Sequence, residues 1–283
     1  MTVAERRAAV HFLATKGVSV RRACLLVQLP RATFHYQARP RPEEEALVAD
    51  ITELAQQHPR YGYRRVWALL QRKRTINRKR VHRLWKRARL QVKRTVRRRL
   101  RRTRPTPLAA RYPNHVWAYD FVEDHALDGS TLRILTVMDE FTREGLAIDV
   151  DTSSSAERVI RRLEELVARH GAPAYLRSDN GPEFVAVAVQ RWLAQRQIAT
   201  LYIDPGCPWQ NGKDERFNGT VRDECLNMHV FTSATEASVR LSAFRQHYNE
   251  ERPHSALGYQ TPSEFKCAWV AAQQKSDDPN IAT

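Results

Sequence analysis

The sequence predicts a basic, all-α region followed by an α/β region built on a mixed sheet. Three observations carry this. Residues 1–104 hold 29 Lys/Arg against 6 Asp/Glu, a net of +23, whereas residues 105–283 hold 18 against 25, a net of −7. The first ninety residues show helical apolar periodicity only. From His115, three apolar runs follow one another, and then helical and extended segments alternate, as α/β folds do. A chain of 283 residues is long enough for about two domains.

The elements follow in order. Val3–Ala14 reads as a helix that Gly17 ends. Val20–Leu29 reads as a second, with Ala23, Cys24, Val27 and Leu29 on its apolar face. Pro30 breaks the chain, and Arg31–Tyr36 starts a third. Pro42–Gln57 is longer, and Glu43, Glu44 and Glu45 in its first turn suit the helix dipole. Tyr61, Tyr63, Val66, Trp67, Leu69 and Leu70 recur at helical spacing, as do Val81, Leu84, Trp85 and Leu90; Asn77 is placed to cap the second of these helices. Two short amphipathic helices joined by a polar turn fit a helix-turn-helix, and residues 1–57 hold a first candidate of the same kind.

Leu100–Pro113, with Pro105, Pro107 and Pro113 among Arg and Thr, reads as a linker. Beyond it, His115–Val122, Leu132–Met138 and Leu146–Val150 read as strands. Ser155–His170 is a helix with serine caps and a closing Gly171. Ala174–Ser178 and Thr200–Ile203 are short strands; Pro182–Gln197, Asn211–Leu226 and Ala234–Tyr248 are helices. The expected organisation is therefore 1–57 helical, 58–99 a second basic helix-turn-helix, 100–113 linker, 114–266 core and 267–283 tail.

Composition excludes several classes. With 28% charged residues and no run of 18 apolar residues, the chain is not expected to span a membrane. The first ten residues carry Glu5, Arg6 and Arg7 and no apolar stretch of signal-peptide type, so a cytoplasmic, nucleoid-associated protein is expected. Cys24, Cys207, Cys225 and Cys267 form no CxxC pair, which argues for small buried residues rather than a disulfide framework or structural zinc.

No acidic residue occurs between Leu54 and Tyr119, and Arg60–Arg104 holds 21 Lys/Arg. A face made for solubility mixes signs, whereas unopposed positive charge is neutralised by phosphates. Arg64, Arg65, Arg78, Lys79, Arg80, Arg83, Lys86, Arg87, Lys93 and Arg94 are the expected DNA-binding residues of this stretch.

Three carboxylates stand out. Asp120 interrupts the apolar run Val116–Val122, where burial is costly unless a cation is bound. Asp179 follows the strand ending at Ser178, and Glu215 sits in a helix. Taken singly, a strand edge, a turn and a helix surface would account for them. Their spacing changes the weighing: 58 residues separate Asp120 from Asp179, and 35 separate Asp179 from Glu215.

With its flanking words, this spacing resembles the RNase-H-like catalytic core of the integrase superfamily as bacterial insertion-sequence transposases carry it. The words are Trp117-Ala-Tyr-Asp-Phe121, Ser178-Asp-Asn-Gly-Pro-Glu-Phe184, Asn211-Gly-x-x-Glu-x-Phe-Asn218 and Tyr248-Asn-Glu-Glu-Arg-Pro-His254 with Tyr259. Val20–Cys24 with Arg31–Tyr36, and Tyr61–Arg65 with Asn77–Val81, are similar to the family's two helix-turn-helix units. The likeness covers about residues 3–266 and fits the product of a downstream reading frame.

The resemblance implies phosphoryl transfer at DNA ends: water nicks the element end, and the freed 3′-hydroxyl then attacks a second phosphodiester. It implies two Mg²⁺ ions, or Mn²⁺, about 3.5–4 Å apart, with Asp120 bridging both and Asp179 and Glu215 each holding one. Oxygen ligands without a Cys/His cluster fit such ions and not zinc. The paired His and Cys of the retroviral integrases' N-terminal zinc domain are absent.

Of the neighbouring acids, Asp214 is expected to turn away from the site, since one helical step is about 100°, and Glu123 and Asp124 are out of register. Asn180 is expected to orient Asp179, and Asn211 and Arg222 to touch DNA. Arg252, His254 and Tyr259 fit either a polar turn after a helix or a contact to DNA or the core. Expected partners are double-stranded DNA (terminal inverted repeats and target), further copies of the chain in a synaptic complex, and the upstream-frame protein. A nuclease that cuts without joining and a catalytically inactive DNA-binding regulator are the alternatives.

Overall fold

A computed structural model describes residues 1–36, 42–92, 108–152, 155–178, 187–202 and 211–276. The chain divides into two compact units, Met1–Ile51 and Thr52–Thr283.

In the first unit, α1 (Val3–Thr15), α2 (Val20–Leu26) and α3 (Arg31–His35) surround a small core of Val10, Ala23, Cys24 and Leu29. Thr2 and Glu5 form a reciprocal capping box at the start of α1. Helix α2 stops short of the expected Leu29 because Gln28 adopts φ 53°, a conformation a right-handed helix cannot continue. Arg7 donates to the carbonyls of Thr33 and Tyr36, tying α1 to the end of α3. Helix α4 (Pro42–Gln57) has the expected bounds.

The boundary falls within α4, and the second unit continues with α5 (Tyr63–Lys73) and α6 (Arg78–Arg87). Val66, Leu70, Val81, Leu84 and Trp85 are buried. Asn77 caps α6 through the Lys79 amide at 2.8 Å, and the Trp67 indole donates to the Ile76 carbonyl at 2.9 Å, closing the connecting turn.

The sheet contains β1 (Val116–His125), β2 (Thr131–Asp139), β3 (Gly145–Asp151), β4 (Tyr175–Ser178) and β5 (Ala199–Tyr202), in the order β3-β2-β1-β4-β5. β1–β2 and β2–β3 are antiparallel; β1–β4 and β4–β5 are parallel. The predicted mixed sheet is thus observed. β1 runs three residues past the expected Val122, since Glu123, Asp124 and His125 stay in register with Arg133, Leu132 and Thr131.

Side chains alternate across a strand, and here the alternation builds two cores. Trp117, Tyr119, Leu135 and Val137 pack with α7 (Ala156–His170) and α8 (Val187–Gln195). Ala118, Val122, Ile134 and Met138 pack with α9 (Asp214–Glu224) and α10 (Ala234–Glu250). Asp120 and Thr136 share the parity of the second set and therefore face α9. Gly145 sits where a Cβ would lie 2.9 Å from the Phe217 ring, and the Asn249 side chain clasps both its amide and its carbonyl. These contacts seat α9 and α10 against β3.

Helix α11 (Pro262–Ser276) occupies much of the span read as the end of the core and a tail. Thr261 and Glu264 form a capping box around it, and Thr-Pro-x-Glu was its legible signature. Cys24 and Cys225 are buried, as expected, but Cys267 is exposed on α11. Cys207 and residues 182–186 of the expected Pro182–Gln197 helix lie outside the described residues, as do linker residues 100–107. No helix among the described residues is long and apolar enough to cross a membrane.

Candidate active site and nucleic-acid interface

Asp120 lies mid-strand on β1, half-buried and opposite Thr136 of β2. Its Oδ1 accepts from the Phe121 amide at 2.7 Å and its Oδ2 from the Asn218 side-chain amide at 2.9 Å. Asn218 is itself held, because its Oδ1 accepts from the Thr136 hydroxyl at 2.8 Å. The same hydroxyl lies 3.1 Å from the Asp120 carbonyl oxygen. A sheet residue, a helix residue and the carboxylate between them thus fix one another's orientation.

Glu215 stands exposed in the first turn of α9, where the helix dipole favours an anion. Asp179 and Asn180 lie outside the described residues, directly after β4. Among the described residues no group of three His, Cys, Asp or Glu is placed to hold a metal.

Asp214 departs from expectation. It is fully buried, and its carboxyl lies beside that of Asp120 rather than turned away. Burial, then the charge of Asp120, raises its pKa well above the usual carboxylate range. Asn211 and Asn218 donate to its Oδ2 at 3.2 and 3.4 Å, whereas its Oδ1 is buried with no donor against it. The first turn of α9 packs with Asp214 inward, where Asn211 and Asn218 meet it. Asn211 is buried against Asp214, not offered to solvent.

A second buried acid braces the same floor. Glu140, 1% exposed, pairs with Arg177 of β4 and with Lys213, each at 2.8 Å. Arg177 precedes Asp179 by two residues and Lys213 precedes Glu215 by two. Sequence reasoning passed over Glu140 and Asn218; the Asn in the Glu-x-Phe-Asn word was the only signal for the latter.

The predicted DNA-binding residues divide. On α6, Arg78, Lys79, Arg83, Lys86 and Arg87 are exposed and Arg80 is half-buried. Arg64 is exposed on α5; Arg222 is exposed on α9 and donates to the Glu123 carbonyl at 3.1 Å. Lys93 and Arg94 lie outside the described residues. Arg65 points the other way: it pairs with the buried Glu224 of α9 at 2.8 Å. Arg252 chelates the same carboxylate at 2.7 and 2.8 Å, and Trp67 meets Tyr259 edge-on, with ring centroids 5.5 Å apart. The Arg252–His254–Tyr259 word therefore docks the basic hairpin onto the core.

This sheet order, with helices on both faces and a central acid opposed by a helix, defines an RNase-H-like core. Integrase core domain models match residues 110–208 and 196–262, and an HTH-like domain model matches residues 42–99. An uncharacterized 31.7 kDa protein of insertion element IS407 from Burkholderia multivorans is 44% identical over 257 residues, covering 88% of this chain and 91% of that one. Transposase InsD of an Escherichia coli IS2 element is 28% identical over 269 residues, 89% of each chain. A chain of the simian T-cell lymphotropic virus intasome superposes with a TM-score of 0.50 at 16% identity, over 76% of this chain and 74% of that one, a likeness of fold. The chain belongs to the bacterial insertion-sequence transposases of the integrase/DDE superfamily.

Proposed function

We propose that this transposase binds the ends of its element through its basic helices and catalyses metal-dependent 3′-end nicking and strand transfer. The observation that carries the reading is the carboxylate of Asp120, fixed by Asn218 on the sheet face toward α9, whose first turn bears Glu215. Asp120, Asp179 and Glu215 are the residues proposed to hold Mg²⁺ or Mn²⁺, two ions per site. The donor set fits: it is all oxygen, as these ions prefer, and Asp120 lies close enough for its charge to raise the pKa of the buried Asp214 carboxyl, a negative potential that a hard cation offsets. When bound, the ions supply electrophilic stabilisation of charge on the phosphate oxygens.

The chain's own residues do the rest. Asn218 and the Phe121 amide hold the Asp120 carboxylate in one orientation. The Glu140 ion pairs fix the floor beneath it. The exposed cations of α6 meet phosphates, supplying a sequence-independent share of affinity. Arg222, exposed on α9, is proposed to meet the strand entering the site. Joining two ends requires two sites, so a complex of several copies is proposed, with the upstream-frame protein as a further partner.

The test is incubation of purified protein with labelled element-end DNA and Mg²⁺, beside Asp120→Asn and an EDTA control. Nicked and joined products from wild type alone support the reading. Hydrolysed ends without joining identify a nuclease. DNA binding without any metal-dependent product, even with the upstream-frame protein added, identifies a regulator.

A further inference from the structure

Helix α9 is held at both ends. Its first turn carries Glu215, and its last residues, Asp223 and Glu224, receive the basic hairpin α5–α6. Glu224 is the node. Its side chain is 8% exposed, with Oε1 accepting from both Arg65 and Arg252 at 2.8 Å and Oε2 accepting from Arg252 at 2.7 Å. Burial pushes its pKa up, but the hydrogen bonds and charge of Arg252, and then of Arg65, outweigh this and hold it below the usual range. Around the node, Arg60 pairs with Asp223, the Tyr61 hydroxyl meets the His247 ring at 2.9 Å, and Arg72 pairs with Glu264 at 2.8 Å. The Arg60 and Arg72 ion pairs are exposed and worth little singly. The shared, desolvated carboxylate is the contact that resists sliding, because the Arg252 fork fixes its plane and Arg65 adds a third bond from the hairpin.

We propose that Arg65 and Glu224 are positioning residues: they lock the basic hairpin to the catalytic helix, so that the distance from bound DNA to the reacting phosphodiester is built into α9. This rests on the proposed function for its consequence at DNA, though not for the lock itself. A displacement of about 1 Å at a reacting centre costs about 10²-fold in rate. A loosened hairpin therefore separates binding from cleavage.

Arg65→Gln is the informative variant. It cuts the hairpin side of the lock and leaves the Glu224–Arg252 chelate, so the core keeps its buried pair. Two readouts are taken on full-length protein. Hydrogen exchange is expected to quicken about tenfold across residues 63–73 while the amides of β1 and β2 stay protected. At saturating protein, cleavage of end DNA per bound complex is expected to fall at least tenfold and to spread over neighbouring phosphates, with affinity for the end within about threefold of wild type. Arg65→Lys, which keeps the charge, is expected to recover most of both, and it carries the comparison if Arg65→Gln does not fold. Unchanged exchange in the hairpin overturns the lock. A tenfold loss of affinity with normal cleavage per bound complex also overturns it, and makes Arg65 a DNA contact. If wild type yields no metal-dependent product even with the upstream-frame protein added, the proposed function fails, and the exchange comparison alone decides the lock.

Discussion

Asn218 reaches from α9 to Asp120 on β1 and donates to its Oδ2 at 2.9 Å, while the Thr136 hydroxyl holds the other end of the same amide. The carboxylate is thereby oriented by a residue of the helix that bears Glu215. Groups of this kind, one step behind a ligand, typically contribute about 10–100-fold in affinity or activity. Asn218→Ala is expected to lower single-turnover cleavage by that amount and to raise the Mg²⁺ concentration needed for half-maximal rate. Titrating the rate with Mg²⁺ checks this; an unchanged requirement would remove Asn218 from the site.

Glu215 and Asp214 are neighbours in sequence with opposite environments, exposed and sealed. Glu215→Gln is expected to abolish cleavage and leave the melting temperature within a degree or so. Asp214→Asn removes the cost of burying a carboxyl whose raised pKa favours its protonated form, and is expected to add about 1–2 kcal/mol of stability at neutral pH, raising the melting temperature by a few degrees. Thermal melts and cleavage assays on both variants separate them; a reversed pattern would transfer the proposed catalytic role to Asp214.

Glu140 is 1% exposed and depends on Arg177, itself 5% exposed, more than on the half-exposed Lys213. Removing one partner of a buried pair leaves an uncompensated charge and costs about 3–5 kcal/mol. Arg177→Met is expected to lower the melting temperature by roughly 10 °C, and Lys213→Met by much less. Equal losses in the two melts would contradict the burial argument.

His254 is packed edge-on against the Tyr248 ring, and its Nε2 lies 3.2 Å from the Tyr248 carbonyl oxygen. Burial first, then the Arg252 charge, lowers its pKa from 6.5 to about 3. The unfolded chain binds that proton at higher pH than the folded one, so the contribution of His254 is fully present above pH 6.5 and is lost as pH falls toward 3. Glu224, whose pKa is also depressed, adds loss in the same direction at the acid end. The expected result is a melting temperature that drops from pH 7.5 to 5, with a His254 ring resonance that does not titrate across that range. A resonance that titrates near 6.5 would place the ring in solvent.

Lys79 and Lys86 are exposed on α6. Replacing either with Ala is expected to weaken binding to all duplexes alike and to reduce the slope of log K against log salt by about 1. Gel-shift titrations at several salt concentrations check it; an unchanged slope excludes that lysine from the phosphate contacts.

Much of the fold was legible because it rests on local rules. The charge division, the serine and asparagine caps at Ser155 and Asn77, the closing Gly171 and the three successive apolar strands each follow from the preferences of a few adjacent residues. The acid interrupting β1 was visible as an anomaly, and the 35-residue spacing made it a candidate site. Tertiary structure decided what local rules cannot reach. Asp214 turned inward because that side of α9 is the one seated on β1, where Asn218 reaches both Asp214 and Asp120, which helical phase alone does not reveal. Arg65 turned from the expected phosphates to Glu224, 159 residues away along the chain. A basic residue reads the same in sequence whether a phosphate or a buried carboxylate awaits it, and only the packing of α5 on α9 determines which one it meets.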